Sequence, residues 1–202
     1  MSADYRFSLG PWNIHPGADP FGPPVRPPVS FDDVLAAAVD LGFSGIQLHD
    51  DDAVPNLENL PPAAVVREAA DLRKRLGDHG LVAEFVAPRL WEHAHGIDGG
   101  YTSNCPKART WAIERSKRAV DIALAVGCDL IVMWPAREGT AVRESKNPIE
   151  ASRQMLEAID AILSVVPNVR IAIEPKPNEP VDHAFVPTIG HALALGARSS
   201  DP

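Results

Sequence analysis

The chain has 202 residues, 45% of them hydrophobic, with a net charge of −8 and an isoelectric point near 5.3. That length can bury one real core, and the acidic balance disfavours non-specific attraction to nucleic acid or anionic lipid. No apolar run approaches the roughly 20 residues of a membrane helix, and MSADYRFSLG lacks the basic-then-apolar order of a secretory signal. Cys105 and Cys128 stand apart with no CxxC, so the expected setting is the cytoplasm with both thiols free.

Taken in order, one unit recurs: amphipathic helix, short turn, apolar strand. RFSLG (6–10) predicts a first strand. Ser30 is a good N-cap, with Asp32 and Asp33 near the positive end of the dipole of a helix through DDVLAAAVDL that ends at Gly42. GIQLH follows as a strand. A second helix starts after Pro61-Pro62, ends at Gly80 and leads into LVAEFVA. A third covers ARTWAIERSKRAVDIALAV to Gly127, before DLIVMW. A fourth runs from about Pro148 through EASRQMLEAIDAILSV, before RIAIEP, and a fifth is expected to begin near Thr188.

Strands alternating with helices of this length predict right-handed βαβ units and a parallel sheet of five strands. No glycine-rich phosphate loop follows any strand, and GIDGG (96–100) has the wrong spacing for one. Polar and aromatic residues instead collect just past the strands, at Trp12, His49, Trp91, Trp134 and Glu174, where a (β/α) barrel carries its chemistry. The expected architecture is therefore a (β/α) barrel, five parallel strands with helices outside, as a single domain over 1–202. Two proline-rich loops, 19–30 and 54–62, follow the first and second strands on that catalytic side. ARSSDP (197–202) reads as a disordered tail.

Three groups of residues could do chemistry. In RIAIEPKPNEP (170–180), Ile171 to Ile173 read as a buried strand, and an extended exit puts Glu174 and Lys176 on one face, stiffened by Pro175 and Pro177. A salt-bridged strand end is the plain alternative. In HDDD (49–52), a carboxylate three residues after a histidine can orient its ring and stabilise its charged form, while three acids could also begin a metal site. A helix-capping acidic turn is the alternative there. Trp12, Trp91 and Trp134, at or just beyond strand ends, suit the walls of a sugar pocket, since sugar C–H faces stack on indole; loop-to-core packing would also use them. Trp111 is assigned to the core, and His93, His95, His183 and His191 to solvated or structural roles.

Together these segments resemble the shorter class of xylose isomerase: FSLGPW (7–12), DPFG (19–22), GIQLHDDD (45–52), DGGYTSN (98–104), DIALAVGCDLIVMWPAREG (121–139), IAIEPKPNEP (171–180) and PTIGHALAL (187–195). The resemblance implies an eight-stranded barrel, two divalent cations (Mg2+, or Mn2+ or Co2+) and interconversion of D-xylose and D-xylulose, with glucose and fructose as further substrates. Subunits are usually tetrameric. It makes His49 the group that assists ring opening, with Asp52 orienting it, and Trp12, Trp91 and Trp134 the apolar wall, Trp91 standing where phenylalanine is usual. Glu174 would bind metal, Lys176 would donate to the carbonyl-end oxygen, and Phe21 would reach into a neighbouring subunit's pocket.

The chain departs from the family in its extent. Three further strands would carry the remaining carboxylates and one histidine, so Glu174 is expected to be the one ligand present and activity of this chain alone to be slight. A non-catalytic truncated remnant and a metal-dependent barrel of another specificity, above all a sugar epimerase, are the competing readings. A nuclease would need a basic groove that this acidic chain does not offer.

Overall fold

The computed structural model describes residues 5–18 and 23–202, and the chain divides into two compact units, Met1–Val86 with Ile122–Cys128 and Ala87–Asp121 with Asp129–Pro202.

The first unit opens on β1 (Ser8–Leu9), shorter than the expected 6–10 because Gly10 and Pro11 lead at once into a 3-10 turn over Pro11–Ile14. Helix α1 (Phe31–Asp40) is capped by the Ser30 hydroxyl, which accepts from the Asp33 N–H at 3.1 Å. Gly42 then takes a positive φ of 80°, which ends the helix where the sequence predicts. Strand β2 (Gly45–His49) lies parallel to β1 in the register Ser8↔Gly45 and Leu9↔Ile46. The acidic triplet starts a helix, the capping alternative offered by the sequence: Asp50–Ala53 forms α2, a single turn starting directly at the strand's end. Helix α3 (Pro62–Asp78) begins on a proline whose missing N–H costs nothing at that position. It buries Val65, Ala69, Leu72 and Leu76, an i, i+4, i+7, i+11 stripe, and ends at Gly80. Strand β3 (Val82–Ala87) completes the strand order β1-β2-β3. Leu35, Ile46, Leu48, Val54 and Val65 are fully buried and form the heart of this unit's core.

Helix α4 (Pro106–Val126) begins in the second unit and contributes its last turn, with Ile122, Ala123 and Val126 buried, to the first. It starts two residues before the expected Ala108, again on a proline.

In the second unit, β4 (Leu130–Met133) pairs in parallel with the strand that follows α5 (Pro148–Leu163). Asn147 caps α5, its side-chain oxygen accepting from the N–H groups of Ile149 and Glu150 at 3.0 and 3.4 Å. A short β5 (Gly139–Thr140) precedes α5, and β6 (Arg170–Ile173) is the partner of β4, in register from Leu130↔Arg170 to Met133↔Ile173. β7 (His183–Ala184) pairs antiparallel with β5, an arrangement without sequence signal because two-residue strands are too short to show alternation. β6 has β4 as its one neighbour in the strand order, and so Ala172 is exposed and Ile171 and Ile173 are half-buried, where the apolar run predicts a buried strand. Ile131, Met133, Met155 and Ile162 form the core of this unit. Helix α6 (Ile189–Gly196) begins after Thr188. The expected tail is placed, with the Ser200 N–H donating to Asp160 at 2.8 Å. Among the described residues, no helix is long and apolar enough to cross a membrane.

Candidate active site

The two units each carry part of the chemistry singled out in the sequence. In the first, β2 delivers His49 into a buried position, 7% exposed, and the α2 turn brings Asp52 back beneath it. Asp52 Oδ2 lies 3.0 Å from His49 Nδ1 and accepts the His49 backbone N–H at 3.0 Å. The acidic run is therefore a helix start and a histidine–carboxylate dyad at once. Trp12, on the 3-10 turn after β1, covers the imidazole at 4.6 Å between ring centres, and its indole also lies 6.1 Å from the ring of Phe85 on β3.

Two residues before His49, Gln47 ties three strands together. Its amide donates to Ser8 Oγ on β1 at 2.9 Å and to Glu84 Oε2 on β3 at 3.0 Å, and the Ser8 hydroxyl also bonds Glu84. This polar ladder fixes the strand that presents the histidine. It is absent from the sequence reading because its members are single polar residues in three separate apolar runs.

In the second unit, Trp91 is 5% exposed and meets Trp134 edge-on, with ring centres 4.4 Å apart and planes at 82°. The Lys176 ammonium stands 5.9 Å from the Trp134 ring centre, a cation–π arrangement. Its ion partner is Glu179, at 2.8 Å, three residues on. β6 ends at Ile173 and the chain bends over 177–180, so Glu179 curls back to the lysine while Glu174 is exposed. The Glu174 N–H extends the strand pairing by one bond, to Met133 O at 3.0 Å. Phe21 lies outside the described residues. Trp111 leaves the plain core role expected for it: His93 stacks on its ring at 4.4 Å, and the Arg115 guanidinium lies 5.7 Å from it.

A two-cation centre does not assemble from these residues. Among the described residues, one set of three potential ligands converges, His49, Asp51 and Asp52, with ligand atoms within 4.8 Å, and Glu174 is not in it. A cation at that set would compete with His49 for Asp52. One exposed carboxylate, Glu174, falls far short of the six or more oxygens a hard cation takes.

A parallel α/β chain with its polar and aromatic groups just past the strands is the pattern of a (β/α) barrel. The chain belongs to the xylose isomerase-like TIM barrel family, whose model matches residues 35–200. Solved structures agree at the level of fold. D-psicose 3-epimerase with D-tagatose from Clostridium cellulolyticum H10 matches with a TM-score of 0.70 at 10% identity, covering 98% of this chain and 61% of that one. IOLI protein with a binding zinc atom matches at 0.66 and 12%, covering 96% and 58%. A xylose isomerase domain protein from Alicyclobacillus acidocaldarius subsp. acidocaldarius matches at 0.62 and 11%, covering 98% and 60%. The chain thus spans about three fifths of the length of these structures, as a partial barrel.

Proposed function

We propose that this chain provides the sugar-binding and ring-opening residues of an aldose–ketose isomerase acting on D-xylose and D-xylulose, with glucose and fructose as further substrates. The His49–Asp52 dyad carries the reading, buried against Trp12 at the end of β2. Opening a pyranose moves a proton from the anomeric hydroxyl and delivers one to the ring oxygen. A buried histidine oriented by a carboxylate suits that transfer, and the indole face of Trp12 suits the sugar's C–H face. Within the second unit, Trp91 and Trp134 are assigned an apolar surface for sugar, and Lys176 the role of donor to the carbonyl-end oxygen once it leaves Glu179. The hydride shift itself is assigned to no residue of this chain, because the described carboxylates do not make up the Mg2+, Mn2+ or Co2+ centre that the resemblance implies. The protein is further proposed to act as a homo-oligomer.

Polarimetry of freshly dissolved α-D-xylose tests the ring-opening step. The chain is expected to speed mutarotation, and His49→Asn to remove about a hundredfold or more of that acceleration, the ordinary worth of a positioned acid–base group. Equal rates for both proteins would sink the assignment. The second reading, a sugar epimerase, is supported by the epimerase among the structural matches. Lys176→Ala separates the two in a full-length homologue: ketose formation is lost in the isomerase reading and epimerisation survives in the other.

A further inference from the structure

Glu138 sits in a loop, yet it is 3% exposed. A carboxylate taken that far out of water must be compensated by donors. Three successive backbone N–H groups supply them: Gly100 and Tyr101 donate to Oε1 at 2.7 and 3.0 Å, and Thr102 donates to Oε2 at 2.8 Å. The Thr102 hydroxyl adds a fourth bond, to Oε2, at 2.6 Å. Consecutive amides turned toward one point form a nest, a built anion site, and here its occupant comes from the chain itself.

The local sequence is shaped for this. Gly99 takes φ +80°, and a Cβ there would lie 3.0 Å from Arg137 O, Glu138 Oε2 and Thr102 Oγ1. A Cβ on Gly100 would meet Leu90 Cδ1 and Ala112 Cβ at 3.0 Å. The glycine pair lets the loop close on the carboxylate and seats it on Leu90, the residue before Trp91. Beside Glu138, the Arg137 Nε donates to the Trp91 carbonyl at 2.8 Å. The Glu138 carbonyl accepts the Phe185 N–H at 2.9 Å, and Gly139–Thr140 pairs with β7. One short stretch, 137–140, thus ties the loop after β3 and the loop after β6 to the loop that begins with Trp134.

We infer that Glu138 is a positioning residue that sets the Trp91 indole against Trp134, and through that pair shapes the apolar wall of the sugar pocket. The pocket part rests on the proposed function; the indole placement does not. Two indoles this close give an exciton couplet in ultraviolet circular dichroism, assigned by its loss in Trp91→Phe. Glu138→Ala is expected to lose at least half of the couplet while keeping the helical signal, and formate, which can refill the nest, to restore it where formamide does not. In the same variant KM for xylose in the mutarotation assay is expected to rise about tenfold with kcat changed less, the mark of a displaced binding wall. Should Glu138→Ala not fold, Thr102→Val removes the hydroxyl donor alone and is expected to weaken the couplet. An unchanged couplet in the folded variant overturns the inference. A couplet that depends on Glu138 in a protein that binds no sugar upholds the positioning role and removes the sugar reading.

Discussion

At the scale of single residues, the chain shows how one short motif can satisfy two readings. His49 to Asp52 starts a helix, and the same geometry orients a buried imidazole, because the residue three positions into a helix turns back over the residue that precedes it. The tryptophans divide in a similar way. Trp12, Trp91 and Trp134 each meet another aromatic ring, whereas Trp111 joins a histidine–arginine cluster that its helical position alone does not reveal. Gly99 gives a direct test of the closed loop. Gly99→Ala forces a side chain into a left-handed backbone and onto three oxygens, and is expected to lower stability by about 1–3 kcal/mol in urea denaturation. A change within experimental error would show that the loop closes without needing glycine there.

At the scale of elements, helix limits are legible because caps are local chemistry. Ser30, Pro62 and Pro148 mark starts, and Gly42, Gly80 and Gly127 with positive φ mark ends, each within a few residues of the helix limit it signals. Strand burial is less legible, since Ile171 to Ile173 look the same in sequence whether one neighbour or two flank them. The start of the β4–β6 pair is tied by Arg170, which donates to Asp129 Oδ1 at 3.2 Å from Nε and 2.6 Å from Nη2. Those hydrogen bonds hold the Asp129 carboxyl below its ordinary range. For an acid with a depressed folded-state value, the stabilisation is present above the unfolded value, about 4, and is lost as pH falls through the folded one. Asp129→Asn is accordingly expected to lower Tm slightly at pH 7, and the difference from wild type to vanish in strong acid. Half-molar salt should shrink the neutral-pH difference, because both groups are solvent-exposed. A difference that persists unchanged into acid would show that the aspartate acts otherwise than as an ion-pair partner.

At the scale of the whole molecule, the family assignment and the site have different standing. The fold follows from the βα alternation and the match over residues 35–200, while the metal chemistry needs more oxygen ligands than the described residues bring together. Titration calorimetry with Mn2+ is expected to show association no tighter than about millimolar, as befits scattered carboxylates. A micromolar site abolished by Asp51→Asn would instead place a cation at the strand end beside His49. Core residues such as Leu35 and Met155, near-completely buried, follow from helix periodicity and are where truncation to alanine costs most.

Sequence alone determined the alternation of the five parallel strands with their helices, the helix limits, and the pairing of His49 with Asp52 at the end of β2, because each depends on residues near one another in the chain. Only tertiary structure decided that Glu138, an ordinary charged residue in WPAREG, is buried in a cradle of amides 36 to 38 positions away. It also decided that Gln47 bridges Ser8 and Glu84, and that Lys176 turns to Glu179. The physical reason is the same in each case. A polar side chain's role is set by which donors and acceptors reach it once water is excluded, and distant segments supply those groups without leaving a periodic trace in the chain.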